Sequence, residues 1–130
     1  MKKKKKLIII LLCTILFVLI GVSLYLKMLV KDVNSITVST LNMANITDGI
    51  YVGEYSVTPV YVKVEVSVTE HKITSIKIIE HENGLGGKAE KIVDDVISKQ
   101  SLEVAAVSGA TVSSKCIIKA IENALQSGSK

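Results

Sequence analysis

The sequence predicts a small α+β domain, an antiparallel sheet with helices packed on one face, preceded by a single N-terminal transmembrane helix. Three observations lead to this fold class. The first is an uncharged run of twenty residues, 7–26. The second is a stretch in which every other residue is valine, from Val60 to Val68. The third is a pair of downstream segments, 87–100 and 113–126, whose apolar residues recur at helical spacing.

The uncharged run has the length of a membrane span. At about 1.5 Å per residue, a helix of this length covers roughly 30 Å, the thickness of the hydrocarbon core of a bilayer. Five lysines, Lys2–Lys6, precede the run, and only Lys27 and Lys31 follow it closely. The positive-inside rule therefore predicts a cytoplasmic tail at 1–6, a span at 7–26 and an extracytoplasmic remainder.

A cleaved signal peptide has the same order of basic and apolar residues and is the alternative. Gly21 and Ser23 would form a poor cleavage site, and the apolar run continues past them. The bulky Leu12 before Cys13 disfavours a lipoprotein signal. We therefore favour a retained anchor.

The charge is divided unevenly along the chain. Residues 1–47 carry seven lysines and one aspartate, a net +6, whereas residues 48–130 carry nine lysines and eleven acids, a net −2. The basic character thus belongs to the membrane tail, so nucleic-acid binding is not expected. With two cysteines, two histidines and no CxxC, the sequence predicts no disulfide framework and no zinc site.

Residues 27–47 form a spacer or a short continuation of the transmembrane helix. The elements of the domain follow in order downstream of it. We place the domain at 48–126 and a short tail at 127–130. A first strand over 48–57 contains Gly53 as an expected bulge or bend, and a hairpin follows it with a turn at 70–72. A helix over 87–100, a short strand near Val104 and a last helix complete the order. We interpret His71 and His81 as exposed turn residues, the pair Asp94 and Asp95 as a solvated helix face, and Cys116 as buried.

The segment VSGATVSSKC, residues 107–116, precedes the last helix, which we expect to begin near Val112 or Ser113. The hydroxyls of Ser108, Thr111 and Ser113 are ordinary helix caps. Gly109 and Ala110 leave the turn free of bulky side chains, so an anion such as a phosphate could approach the unpaired amides. The residues alone leave both interpretations open. The loop with glycines at 84, 86 and 87 is likewise compatible with a plain connection from strand to helix.

These motifs resemble the FMN-binding domain family, which includes the covalently flavinylated flavin subunits of Na+-translocating NADH:quinone reductase and of Rnf-type complexes. The segment 105–125 is similar to the signature of the family, in which the threonine of S-G-A-T carries FMN through a phosphoester. The loop 81–91 is similar to the glycine-rich loop of the family, in which an acidic residue precedes G-L-G. The resemblance implies the following cofactor-binding residues: Thr111, Ser108, Gly109, Ala110, Ser113, Glu82, Gly84, Leu85 and Gly86.

The resemblance also implies a function and partners. The chain would be a membrane-anchored extracytoplasmic electron carrier without catalysis of its own, flavinylated by a separate FAD-dependent transferase and serving redox partner proteins or a membrane quinone-linked complex. One position departs from the pattern: Ala105 stands where flavinylated members usually have an acidic residue, and Glu103 is the nearest acid. A membrane-tethered structural or interaction module of the same fold, which binds FMN reversibly or not at all, is therefore the alternative.

Overall fold

The computed structural model describes residues 2–82 and 86–129, and the chain divides into two compact units, residues 1–34 and residues 35–130. The first unit is one helix, α1, Lys2–Asn34. Its stretch Lys3–Met28 is long and apolar enough to cross a membrane, a property that it shares with signal sequences. The helix extends beyond the predicted span in both directions, into the lysine run and into the predicted spacer.

The second unit is built on a three-stranded antiparallel sheet, which confirms the predicted fold class. The strands are β1 (Gly49–Val57), β2 (Val60–Thr69) and β3 (Lys72–Glu82), in the order β1-β2-β3. One face of β2 is buried, as the alternation predicts, and consists of Val60, Val62, Val64, Val66 and Val68. This face is the floor of the core, because each valine that loses contact with water there stabilises the fold by about 1.5–3 kcal/mol.

The last helix, α3 (Thr111–Ser127), covers the apolar face of the sheet and contacts β1 and β2. Gly53 is where helix and sheet come closest. A Cβ atom at this position would lie 2.2 Å from the carbonyl oxygen of Ala120 and 2.4 Å from the amide nitrogen of Ala124. The predicted bulge at Gly53 was wrong, since Gly53 pairs regularly with Val64. The absence of a side chain serves the close approach of helix backbone to strand backbone.

The contacts of α3 also fix its direction on the sheet. Gly128 packs on the ring of Tyr51, Ala120 and Ala124 pack on Gly53, and Cys116 is hydrogen bonded to the backbone of Val57. The helix therefore begins at the end of the sheet where β1 stops, β2 starts and β3 stops. We call this edge, marked by Val57, Val60 and Glu82, the upper end of the sheet.

The segment between β3 and α3 begins with a 3-10 helix, Gly86–Lys91, which continues into α2, Ile92–Lys99. The predicted apolar stripe is confirmed, with Ala89, Ile92 and Val96 fully buried. Gln100 ends α2 in the left-handed conformation, φ 50°. Its side-chain amide accepts from the Ile73 N–H and donates to the Ile73 carbonyl, both at 2.8 Å. The Gln100 side chain thus makes the hydrogen bonds to β3 that the backbone of a fourth strand would make at this position.

The predicted short strand near Val104 was wrong: the structure has no regular element over residues 103–107. The backbone groups of this segment are bonded elsewhere. The Val104 N–H donates to the Leu102 carbonyl at 3.0 Å, and the Val107 N–H donates to Ser114 Oγ at 3.0 Å. Amides used in this way cannot join a sheet ladder.

Most of the predicted spacer, residues 35–47, packs against the domain. We call its residues 35–46 the strap. Ile36 and Ile46 are buried. The carboxylate of Glu122, which is 0% exposed, accepts from the Ser39 N–H at 3.1 Å and from Gln126 Nε2 at 3.0 Å, and pairs with Lys119 Nζ at 2.7 Å. The compact unit therefore starts upstream of the predicted boundary at residue 48.

Glu122→Ala is expected to release the strap and lower the free energy of unfolding by about 3 kcal/mol, because it leaves donors without their buried acceptor. Glu122→Gln is the matched control, since its amide oxygen can still accept from Ser39, and the expected loss is about 1–2 kcal/mol. Proteolysis of the full chain in detergent over a urea series measures both. Equal losses in the two variants would contradict a specific role of the carboxylate.

The turn between β2 and β3 lacks glycine although it needs positive φ. Glu70 and His71 have φ values of 52° and 58°. The carboxylate of Asp48 accepts from the Glu70 N–H at 2.9 Å and from the His71 N–H at 3.2 Å. These two bonds, the Glu70 bond first, hold the pKa of Asp48 below its ordinary value. The carboxylate therefore stabilises a turn conformation that the residue types disfavour.

This arrangement predicts a pH dependence. Because the pKa of Asp48 is lower in the folded chain, its contribution to stability is present above the unfolded pKa of about 4 and is lost as the pH falls through the folded value. Asp48→Asn should therefore be less stable than the wild type at pH 7, and the difference should shrink as the pH falls below the unfolded pKa and close once Asp48 is protonated in the folded chain. Asp94→Asn, at an exposed carboxylate, is the control. A wild-type advantage that does not shrink at all as the pH falls below the unfolded pKa would contradict the assignment.

Candidate functional site

The upper end of the sheet brings together the two motifs that the sequence singles out. β3 ends there at Glu82, opposite Tyr61 on β2, and α3 begins there at Thr111. Cys116, one turn into α3, touches Val57 at this same end. The end of β3 and the start of α3 thus lie at the same edge of the domain, although more than twenty residues separate them in the chain.

Among the residues that the structure describes, no side chain caps the start of α3. Its N-cap residue is Ala110, so the predicted cap by Ser108, Thr111 or Ser113 was wrong. The first bond of the helix runs from the Ser114 N–H to the Ala110 carbonyl at 2.9 Å. The amides of Thr111, Val112 and Ser113 precede this bond, so they have no partner one turn back in the helix. Uncapped amides at the positive end of the helix dipole form a set of donors suited to an anion.

The predicted residues of this segment differ in exposure. Ser108, Gly109 and Thr111 are exposed, whereas Ala110 and Ser113 are buried. Gly109 has φ +78° and open space where a Cβ would stand. This left-handed residue turns the chain into the helix and leaves the Thr111 hydroxyl at the surface. Ser113 can contribute to a surface site only through its backbone, because its side chain faces the interior.

Ser114 supports this turn, and sequence reasoning missed it. Its buried hydroxyl donates to the Ala110 carbonyl at 2.8 Å and accepts from the Val107 N–H at 3.0 Å. One side chain thus ties both ends of the segment 107–110 to the first turn of α3. The signal was present in the sequence, since a serine in a helix commonly bonds to the carbonyl four residues earlier.

The glycine-rich loop is only partly within the described residues. Gly84 and Leu85 lie outside them, while Gly86 is buried at the start of its 3-10 helix. Glu82 is exposed and pairs across the sheet with Tyr61. Tyr61 alternates with the buried valines of β2, so Glu82 lies on the sheet face opposite to the helices. The roles of these four residues in binding stay predictions.

His81 differs from the expectation of an exposed turn residue. It lies in β3, its side chain is 2% exposed, and its Nδ1 is 3.0 Å from Glu90 Oε1. It pairs with the buried Val62 and therefore faces the helix layer. His71, in contrast, does lie in the turn as expected, with Nδ1 2.8 Å from the Ile46 carbonyl oxygen.

The outer face of the upper end carries more acidic than basic residues, with Glu54, Glu80 and Glu82 around Lys63. The Tyr61 hydroxyl donates to Glu54 Oε2 at 2.9 Å. That bond is the first cause of a raised pKa of Tyr61, to which the negative charges of Glu54, Glu80 and Glu82 add. These carboxylates would repel a phosphate, so the start of α3 is the favourable place for one.

Cys116 is buried, and Asp94 and Asp95 lie on an exposed helix face, as the sequence predicts. Cys13 and Cys116 are both free thiols. Burial raises the pKa of the Cys116 thiol to about 11, which outweighs the lowering effect of its bond to the Val57 backbone. Within the described ranges, no group of histidine, cysteine and carboxylate side chains could hold a metal ion.

The fold and this site define a class of protein: an α+β domain with an uncapped helix start suited to a phosphate, next in sequence to a helix able to anchor it in a membrane. The model of the FMN-binding domain family matches residues 58–126. The chain belongs to the FMN-binding domain family, and FMN is the cofactor that this membership indicates. A comparison with curated proteins found no match.

The donors at the upper end fit the phosphate of FMN. The amides of Thr111, Val112 and Ser113 and the exposed hydroxyls of Ser108 and Thr111 supply the hydrogen-bond donors that a phosphate needs. The left-handed Gly109 adds a backbone turn without a side chain in the way. The residues that would hold the phosphate are thus those of the S-G-A-T segment and the first turn of α3.

Proposed function

We propose that this protein is a membrane-anchored, extracytoplasmic electron carrier whose FMN is attached to Thr111 through a phosphoester. The observation that carries the proposal is the position of Thr111, an exposed residue at the start of a helix that no described side chain caps. Membership of the FMN-binding domain family supports the cofactor. The attachment and the role in electron transfer are the parts that experiment must test.

Thr111 needs help to become a nucleophile. In the structure as described, no histidine or lysine is hydrogen bonded to its hydroxyl, and a free threonine hydroxyl is a weak nucleophile. A separate FAD-dependent transferase would act on it. In that step the Thr111 oxygen bonds to the FMN phosphorus, the pyrophosphate bond of FAD breaks, AMP leaves, and the threonine proton is released. The exposure of Thr111 allows such an enzyme to reach it.

The first amides of α3 and the Ser114 side chain would have different roles in holding the cofactor. The first amides of α3 would neutralise the phosphate, and Ser114 keeps the preceding turn in place to present them. When bound, FMN supplies the redox chemistry, while the protein supplies position and electrostatics. Catalysis of a substrate reaction by the chain is not part of the proposal.

The placement outside the cytoplasm follows from charge. Five lysines, Lys2–Lys6, precede the apolar stretch of α1, and this bias keeps the N-terminus inside. The domain that follows would then face the outside, near partners in the membrane. Redox proteins or a membrane quinone-linked complex would exchange electrons with it.

A specific observation favours an alternative. Ala105 and the acid nearest to it, Glu103, are both exposed, but only Glu103 could offer a carboxylate to a transferase, two residues from the position usual in flavinylated relatives. If the transferase requires the acid at 105, the domain binds FMN reversibly or serves as a tethered interaction module.

Intact mass of the full chain separates these functions. Co-expression with an FAD-dependent flavin transferase should add roughly 438 Da, the mass of FMN less water. An adduct that survives denaturation supports the carrier with a covalent cofactor. Yellow protein that loses its colour on denaturation indicates reversible binding. Protein that stays colourless and without added mass would contradict the proposal.

A further inference from the structure

His81 and Glu90 form a contact that joins the end of β3 to the 3-10 helix that follows it. His81 is the second-last residue of β3, and Glu90 belongs to the 3-10 helix Gly86–Lys91. The Nδ1 to Oε1 distance is 3.0 Å, with the imidazole 2% exposed and the carboxylate 50% exposed. A buried imidazole with a half-exposed carboxylate partner is unusual for a surface connection, where both groups would be hydrated.

The His81 side chain of this contact lies on the face of the sheet that packs against the helices, and not on the outer face. A register shift lies between Lys63 and Val64 on β2, so that Val64 pairs with Ile78 and Lys63 with Glu80. Ile79 is the extra residue, and it reverses the alternation of β3. His81 thereby faces inward, and Glu82 outward. The residue of the upper end that faces the helices from β3 is the histidine.

The 3-10 helix that carries Glu90 also packs on α3, whose first residue is Thr111. Gly86 and Ala89 of this 3-10 helix are buried. The His81–Glu90 pair therefore connects β3, through the 3-10 helix, to the element that presents the phosphate site. A change in the pair would alter the position of the 3-10 helix relative to α3 and Thr111.

The chemistry of the pair is directional. A carboxylate can only accept, so the imidazole donates from Nδ1 to Glu90 Oε1, and this bond fixes the ring orientation. The carboxylate adds a negative charge beside the loop, and its partial exposure keeps it hydrated.

We propose that His81, held by Glu90, is a positioning residue for the ring system of FMN: the pair fixes the end of β3 and the start of the 3-10 helix as the surface on which the isoalloxazine docks. This inference rests on the proposed function, because it concerns the same cofactor. It assigns roles to His81 and Glu90, for which the resemblance implies none.

The test uses the full chain in detergent, loaded with FMN by the transferase, with visible circular dichroism and midpoint potential as readouts. His81→Leu removes the bond and should change the flavin dichroism. His81→Asn places an amide donor near the position of Nδ1 and should restore the wild-type spectrum. Glu90→Gln removes a negative charge and should raise the midpoint potential, because that charge opposes added electrons. Glu80→Gln, on the outer face of β3, should change neither readout.

The outcomes are distinct from those of the proposed function. Intact mass should show the Thr111 adduct in all these variants. Wild-type dichroism and potential in both His81→Leu and Glu90→Gln would overturn the positioning role and leave the carrier function standing. A wild-type chain that takes up no FMN would overturn both. If His81→Leu fails to fold, Glu90→Gln decides, because Glu90 is half exposed and its replacement conserves shape.

Discussion

Thr111→Val is expected to abolish covalent flavinylation while the domain stays folded. Valine keeps the branched shape of threonine and lacks only the hydroxyl that would form the phosphoester. Because Thr111 is exposed, the change in the free energy of unfolding should stay within about 0.5 kcal/mol. Flavin fluorescence of the denatured chain in a gel, after co-expression with the transferase, measures the covalent adduct directly.

Thr111→Ser is the matched control, since it retains a hydroxyl at the same position. We expect it to keep the adduct, at a yield reduced by the greater rotamer freedom of serine. Full fluorescence in Thr111→Val would remove Thr111 from its role. Loss of fluorescence in both variants, with the chain folded, would indicate that the transferase recognises the threonine methyl group.

Gly53→Ala is expected to destabilise the domain more than the same substitution at Gly49 or Gly109. These three are the glycines of β1 and of the S-G-A-T turn. The added carbon would overlap the Ala120 carbonyl oxygen and the Ala124 amide, at 2.2 Å and 2.4 Å. These atoms belong to the backbone of α3, so no side-chain rotation relieves the overlap. Helix and strand must separate, at a cost of about 3 kcal/mol.

Gly109→Ala provides the comparison for Gly53. A Cβ at Gly109 would meet no atom within 4 Å, and its only penalty is the φ of +78°. We expect a loss of about 1 kcal/mol there. Urea-dependent proteolysis of the full chain in detergent compares the two variants. Equal losses would show that conformational strain, and not helix packing, explains both glycines.

The sequence predicted those features that depend on local periodicity. The alternating valines of β2 and the helical spacing in α2 and α3 each repeat over several residues, and burial followed the pattern. The position of the S-G-A-T turn before α3 was also predictable, because glycine and hydroxyl residues before an apolar helix are a local signal. The start at Thr111 is within two residues of the expected one.

Features set by distant contacts were not predictable. Gly53 resembles a bulge in isolation, and only the approach of α3 reveals its role. The orientation of His81 depends on the extra residue Ile79, and alternation carried on from Ile78 would have turned Glu82 inward. Glu122 and Ser39 are far apart in the chain, so no spacing rule could have paired them. The hydrogen bonds of the Gln100 side-chain amide to β3 could not be predicted for the same reason.

The central claim is that the phosphate of FMN is bonded to one oxygen, that of Thr111, at the start of α3. Fragment masses of the proteolysed, flavinylated chain test it most directly, because the same segment offers Ser108, Ser113 and Ser114 as other hydroxyls. The account predicts that every fragment carrying the added mass contains Thr111, and that cleavage within the peptide localises it to this residue. An adduct localised to Ser108 or to any other residue would contradict it.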